Sequence, residues 1–562
     1  MPNPNSKVRA DHMFKLLAGL ARARKGILAY YLPLLETDDE IIRLGAVCQL
    51  LNLRTLPERQ IDRVLDLCRY GAVKKKAFDF FQSEHHQELA RQVAAIRTSN
   101  HDEVLTQLME AQLDFDQERA LEASIAVFRE TGHLSDLSAI AIAADRVGGW
   151  KLSSEWNVRG AALTPLDPTY FLYLFHGLAE ANQFDLVDTL AVLLNQAGLH
   201  PYLHGVYSAN AALARGDVRG CVDRIAKLAP PSESAPRLLR SVTAHAKRLL
   251  GDAHERLGNY ETSYKLYAEM NRLEQSPTVK AMSENSAISN GTYWQNLATA
   301  VPELPPYSRD DIVMLLGFPR SGTTLLENAL DGHPDIEAYE ELPTWDAAFA
   351  MARPQWHSRM SSTIDQVRRF VSARDIYFDQ VDKRRKKKSA RYVLDKYPMR
   401  TIHVALMAKL LPNQRYIFAI RHPFDVALSC FRQRFNPNTA MESFRTIKGT
   451  IELYDATMTQ WFEYHSMKDP LVHYVKYDDV VTDFDSSIRR VLEFIGLPWD
   501  DNVHNFAEAA QDRVARTPSY QKVRRGLGIG VQTYWRNYGF LFQTPEAKPL
   551  YKWASFFGYE TQ

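Results

Sequence analysis

The chain changes rhythm near residue 300. Before that point apolar residues recur three and four positions apart, as in Ile61, Val64, Leu65 and Cys68, which share one face of a helix. Strand-like alternation is almost absent there. Beyond it, short apolar runs take over: Ile312–Leu316, Tyr392–Leu394, Arg415–Ile420 and Val472–Val475. Helical patterns stand between them, over 325–330, 402–411 and 425–434. Short continuous apolar runs mark strands covered on both faces, and their alternation with helices implies a parallel sheet. The expected fold class is therefore α plus α/β, a helical first half followed by a domain built on a parallel sheet. In such sheets ligands gather at the C-terminal ends of the strands. Arg320, Lys396, Arg421 and Tyr477 all fall just past a strand.

The helical half carries a period. Gly148-Gly149-Trp150, Asn182-Gln183-Phe184 and Gly216-Asp217-Val218 are spaced by 182 − 148 = 34 and 216 − 182 = 34 residues. Five positions after the start of each stands a small or modest residue, Ser153, Val187 or Cys221, and Pro165 and Pro201 close their units. A fourth unit follows at 258 − 216 = 42, with Gly258, Tyr260, Ser263 and Tyr267 in the same relation. Its extra residues fit the loop-like Pro230-Pro231-Ser232-Glu233-Ser234. This pattern resembles a tetratricopeptide array, a solenoid whose concave surface takes peptides or partner proteins. Residues 1–290 are assigned to it, although no repeat can be registered before 148. Pro302, Pro305 and Pro306 mark a linker over 291–310, and 311–562 forms the second domain.

Composition narrows the class without naming it. At 562 residues the chain exceeds one hydrophobic core. It is 45% hydrophobic and 24% charged, with a formal net charge of +1, so nothing global favours nucleic acid or a membrane surface. Cys48, Cys68, Cys221 and Cys430 stand far apart, with neither metal-site nor disulfide spacing. The first residues lack the apolar core of a signal peptide, and no run approaches the roughly 20 apolar residues that span a bilayer. A cytoplasmic protein without a membrane span is expected.

Chemistry concentrates after the first strand, in Gly317-Phe318-Pro319-Arg320-Ser321-Gly322-Thr323-Thr324. A glycine-bearing turn from a buried strand into a helix leaves backbone N–H groups pointing one way, at the positive end of the helix dipole. That is an anion site. A nucleoside-triphosphatase loop would place Lys before its Ser or Thr. Here there is none, and Arg320 grips an oxyanion instead.

The stretch resembles the phosphosulfate loop of sulfotransferases that use 3′-phosphoadenosine 5′-phosphosulfate, and its Pro-Arg-Ser-Gly-Thr-Thr form is similar to the protein-tyrosine branch. The resemblance covers about 312–540 and implies a P-loop-like α/β sulfotransferase domain. It further implies that Arg320, Ser321, Gly322, Thr323 and Thr324 hold the 5′-phosphosulfate. Arg421 and Ser429, eight residues apart in Arg-His-Pro-Phe-Asp-Val-Ala-Leu-Ser, would hold the 3′-phosphate, with Tyr477 and Arg525 as further contacts. Glu341, 21 residues after Arg320, falls where the tyrosine branch keeps its general base, with Glu340 beside it. Lys396 falls where family members contact the sulfuryl and bridging oxygens. No metal is required. His403 and His333 are rival bases. Thr517–Val523 and Trp535–Tyr538 also match, but Gly526–Val531 departs from the family's pattern, which bears on cofactor closure. Eukaryotic tyrosine sulfotransferases work behind a membrane anchor, and this chain departs from them there too.

The run Lys383-Arg384-Arg385-Lys386-Lys387-Lys388 reads as a solvated loop or as a landing site for an acidic, tyrosine-containing acceptor. The expected partners are thus an acceptor protein, peptide or other hydroxyl compound, and a protein on the repeat array, but no nucleic acid. Two further function classes stay open: a nucleotide kinase or triphosphatase with a variant loop, and a repeat scaffold carrying a degenerate enzyme domain. A carbohydrate or small-molecule acceptor is also compatible with the same site.

Overall fold

The computed structural model describes residues 17, 20, 26–83, 87–96, 101–113, 117–232, 234–275, 286–353, 363–435, 438, 440–505 and 534–561. The chain divides into two compact units, Met1–Leu257 and Gly258–Gln562.

The first unit is helical throughout its described residues. Its clearest part is a series of antiparallel helices: Pro168–Glu180, Phe184–Ala197, Pro201–Ala214, Val218–Ala226 and Arg237–Arg256. The second members of two successive pairs begin at 184 and 218, the 34-residue step of the sequence pattern. The repeating tripeptides sit at the turns, and each turn holds a left-handed residue: Gly149 at φ 64°, Asn182 at 57° and Gly216 at 89°. Glycine and asparagine tolerate that region best, which is why the tripeptides recur. Val187 and Cys221, the residues five positions on, are fully buried in the core of this unit. Pro201 closes one unit by opening the next, as the first residue of its helix.

The second unit begins earlier than expected. The helix Tyr260–Glu274, read from sequence as a fourth repeat, packs within this unit. Its Ser263 hydroxyl lies 3.0 Å from Tyr538 OH, and Asn271 Nδ2 donates to Phe431 O at 2.8 Å. The linker is shorter than expected as well. A helix, Ser286–Ala300, occupies much of it and seals Trp294 into the core. Ile288 and Leu297 of the same helix pack against that core as well.

The sheet has five parallel strands: β1 (Ile312–Gly317), β2 (Ile336–Glu340), β3 (Tyr392–Lys396), β4 (Arg415–Ile420) and β5 (Val472–Lys476), in the order β2-β3-β1-β4-β5. Leu315 pairs with Lys396 and Gly317 with Ala419, so β1, β3 and β4 end together. Val313 and Leu315 face a layer that includes Leu325, Ile488 and Val491. Ile312, Met314 and Leu316 face the other, with Trp461 and Tyr454. Trp461 stacks on Phe418 with centroids 4.2 Å apart, worth about 0.5–1.5 kcal/mol beyond its burial. Edge strand β2 escaped the sequence reading because two glutamates interrupt Ile-Glu-Ala-Tyr-Glu. Strand β3 runs two residues further than expected, so Lys396 is its last residue rather than the one after it. Among the described residues no helix is long and apolar enough to cross a membrane.

Candidate active site

Strand β1 delivers the chain to the loop. Gly317 has φ 147°, and an added Cβ there would lie 2.7 Å from the carbonyl oxygen of Ala419 on β4. Only glycine allows that approach. Thr401 clamps the same residue: its hydroxyl donates to Gly317 O at 2.6 Å and accepts from Gly317 N at 3.1 Å. Arg320 sits in the left-handed region at φ 73°, and Gly322, at φ 98°, caps the helix Thr323–Asp331. A Cβ on Gly322 would stand 2.5 Å from the Tyr477 ring, so that ring lies flush against the loop. Ser321, Thr323 and Thr324 are buried beside it.

The end of β4 completes this half of the site. Arg320 Nε donates to Ser429 Oγ at 3.0 Å. Arg421 donates to Arg320 O at 3.3 Å, and its guanidinium lies 4.7 Å from the centre of the Tyr477 ring. Arg320, Gly322, Arg421, Ser429 and Tyr477, far apart in sequence, form one cluster. Burial pushes the Arg320 guanidinium down to about 10, and the charges of Arg421 and Arg432 push the same way against the opposing Cys430. It stays charged at neutral pH, with the like charges of Arg421 and Arg432 close by. The narrow glycine cradle and this crowding fit a nucleotide bearing phosphate at both ends. Arg432, three residues past Ser429, was not singled out from the sequence.

At the end of β3 stands a second cluster. Lys396 is fully buried, with Nζ 3.0 Å from Glu327 Oε2 and 3.1 Å from Glu341 Oε1. Burial alone would lower the lysine. The Glu327 and Glu341 carboxylates, helped by Glu340, outweigh it and hold the ammonium well above its usual range. Glu341 leaves β2 at φ 48°, and its N–H donates to Lys396 O at 2.8 Å. Its side chain is 31% exposed, against 1% for Glu327. The open carboxylate can meet an acceptor, and the sealed one cannot. Glu327 was missed in the sequence, although an acid in the middle of the apolar pattern Leu-Leu-Glu-Asn-Ala-Leu was a usable signal.

The rival bases fare poorly. Burial, with Arg400 and Arg353 nearby, pushes His403 down to about 3, so it is a feeble proton acceptor at neutral pH. His333 is buried as a pin, with Nε2 3.0 Å from Pro498 O and Nδ1 accepting from Asp335 N at 3.1 Å.

The basic run does not serve this edge. It precedes β3 and lies at the opposite end of the sheet. Arg385 is committed to Asp311 at 2.9 Å, and Lys387 Nζ donates to His333 O and Ile336 O, both at 3.0 Å. Arg385 and Lys387 are thereby held at the end of the sheet away from Glu341. Trp535 N–H donates to Asp425 Oδ1 at 3.1 Å, tying the C-terminal segment to the helix that carries Ser429. Arg525, Thr517–Val523 and Gly526–Val531 lie outside the described residues. Among the described residues no group of three His, Cys, Asp or Glu side chains is arranged to hold a metal ion.

Residues 312–501, about a third of the chain, match the model of the sulfotransferase family. The C-terminal unit carries a sulfotransferase-family domain. An uncharacterized protein of Aquifex aeolicus is 28% identical over 239 residues, covering 40% of this chain and 30% of that one. Protein-tyrosine sulfotransferase 1 of Danio rerio is 25% identical over 247 residues, 42% of this chain and 66% of that one. The chain thus spans less than two thirds of either relative. The solved sulfotransferase domain of the Synechococcus PCC 7002 olefin synthase is 17% identical, with a TM-score of 0.33, over 46% of this chain and 99% of that one.

Proposed function

We propose that the C-terminal unit transfers the sulfuryl group of 3′-phosphoadenosine 5′-phosphosulfate to an acceptor hydroxyl, preferably the phenol of a protein tyrosine. One observation carries the reading. Arg320, Ser429 and Arg421 meet at 3.0–3.3 Å across the ends of β1 and β4, and Lys396 and Glu341 meet at 3.1 Å at the end of the adjacent strand β3. The first group suits the two phosphate ends of the nucleotide, and the second suits an acceptor.

The donor supplies a sulfuryl group on a phosphate oxygen that leaves as charge builds on it. Arg320 and the first N–H groups of Thr323–Asp331 hold the 5′ end, and Arg421 with Ser429 holds the 3′-phosphate. Glu341 takes the acceptor proton as the acceptor oxygen bonds to sulfur. The old sulfur–oxygen bond breaks, and its electron pair leaves with adenosine 3′,5′-bisphosphate. Lys396 offsets charge on the transferring and leaving oxygens. The tyrosine acceptor finds support in the Danio rerio relative, at 25% identity. We assign the repeat array the role of a platform for the acceptor or a partner protein. The four free, buried cysteines support a reducing compartment and hence the cytoplasm.

A thermal-shift panel tests the donor. Adenosine 3′,5′-bisphosphate should stabilise the protein without magnesium, and ATP with magnesium should not. The reverse result would favour the kinase reading. Label transfer from ³⁵S-donor to a tyrosine peptide, a sugar and an alkyl alcohol then ranks the acceptors.

A further inference from the structure

We propose that Glu327 is a positioning residue that anchors Lys396 while Glu341 changes its charge. The inference rests on the sulfuryl-transfer reading above and assigns a part to a residue outside it.

The geometry is asymmetric. Lys396 sits between two carboxylates at nearly equal distance, 3.0 Å to Glu327 and 3.1 Å to Glu341. Glu327 comes from the loop's own helix, one turn after Thr323, and every residue of that helix from Thr323 to Leu330 is buried. A carboxylate sealed in such a helix is costly unless a cation meets it. Lys396 is that cation, and with no exposed surface it needs the carboxylate in return. Glu341, by contrast, is open to solvent along part of its side chain.

Consider what the proton transfer does to the cluster. With both carboxylates ionised it carries a net charge of −1. When Glu341 takes the acceptor's proton, its hold on Lys396 weakens. A lysine paired with Glu341 alone would then be a buried cation without a fixed protein partner, free to swing or to lose its own proton. With Glu327 in place the ammonium keeps one carboxylate partner that takes no part in the proton transfer. The ion pair stays neutral, and Nζ stays aimed while the charge on Glu341 changes. The short tie from Glu341 N–H to Lys396 O holds the two side chains in register throughout.

The test uses the full chain with Glu327→Gln, Lys396→Met and the double variant. Glu327→Gln should bind adenosine 3′,5′-bisphosphate within about threefold of wild type, because that ligand has no sulfuryl group. Single-turnover transfer at saturating donor should fall roughly 10–100-fold with the acceptor KM little changed. The alkaline limb of the pH–rate profile should move down by about one unit or more. The double variant should be no slower than Lys396→Met. A variant that melts lower but keeps the wild-type alkaline limb would reduce Glu327 to packing, and a double variant far slower than Lys396→Met would show that it acts elsewhere; either overturns the proposal. A readout without turnover separates this inference from the reaction assigned above. In ¹³C-lysine-labelled protein, the Lys396 Cε resonance is the one lost in Lys396→Met. Its titration below pH 10 in Glu327→Gln but not in wild type supports the anchor even in a preparation that transfers nothing. Identical titration in both overturns it, whatever the reaction.

Discussion

Replacing Lys396 by Met keeps the volume of the side chain and removes its charge. The two carboxylates then suffer unequally. Glu341 is 31% exposed and can turn to water, whereas Glu327, at 1%, cannot. At 3.0 Å and an effective dielectric near 20, the lost attraction is roughly 5 kcal/mol before any relaxation. Removing one partner of a buried pair usually costs about 3–5 kcal/mol. For a unit of this size that is a fall in melting temperature on the order of 6–20 °C. The sign of the pH dependence follows. Without the cation, burial raises the folded-state pKa of Glu327 above its unfolded value of about 4.3. Between those two values the folded chain binds more protons, so stability declines as pH rises through the window and the defect is complete above it. The variant should therefore be weakest near pH 8 and regain stability toward pH 5, relative to wild type at each pH. Adding Glu327→Gln should restore most of the loss. Melting curves of the full chain followed by tryptophan fluorescence at pH 5 and pH 8 decide it. An equal deficit at both pH values, or no recovery in the double variant, would refute the buried-pair account.

Three further outcomes are expected. Arg421→Ala should weaken adenosine 3′,5′-bisphosphate by about 1.5–3 kcal/mol in calorimetry and affect adenosine 5′-phosphate much less; equal losses would dismiss the 3′-phosphate contact. Glu341→Gln should keep nucleotide affinity and lower single-turnover transfer roughly 10²–10⁴-fold, more for an alkyl alcohol than for a phenol, and near-wild-type rates would dismiss it as the base. Neutralising the exposed Lys386 and Lys388 should leave the KM of an acidic peptide unchanged, since they lie at the far end of the sheet, and a raised KM in steady-state assays would contradict that placement.

Much of the fold was legible because its signals are local. The central strands β1, β3 and β4 announce themselves as apolar runs, since a central parallel strand is apolar on both faces, and edge strand β5 carries a short run as well. The repeat is visible because each tripeptide holds one left-handed residue, Gly149, Asn182 or Gly216, and that region selects glycine or asparagine. What failed was set by tertiary contact. Strand β2 is an edge strand whose glutamates find partners elsewhere: Glu337 accepts from the N–H groups of Lys386 and Lys387, both at 2.9 Å. The basic run reads as solvated or as a docking patch, yet those same contacts and the Arg385–Asp311 pair fold part of it onto the sheet. Helix Tyr260–Glu274 has the repeat's spacing. Its assignment to the second unit depends on Ser263, Asn271 and Glu274 meeting Tyr538, Phe431 and Arg434, which no period encodes.

The site was legible as residues but not as backbone. Arg320 and Glu341 both stand where the chain leaves a strand, and both adopt left-handed φ, at 73° and 48°. Each such conformation costs a non-glycine residue about 1–3 kcal/mol, so propensity alone would have put glycine there. The surroundings hold both residues in place. Arg320 is gripped through Ser429 and through its own carbonyl by Arg421, and Glu341 by the carbonyl of Lys396. The residues that hold these conformations are thus ones to which the proposed chemistry assigns a part. Arg320, three residues after β1, and Glu341, the first residue after β2, both stand at the C-terminal edge of the sheet, one beside Ser429 and the other beside Lys396. A residue pattern shows which side chains are available for an anion and a proton. The left-handed turns, invisible in that pattern, bring them to one place.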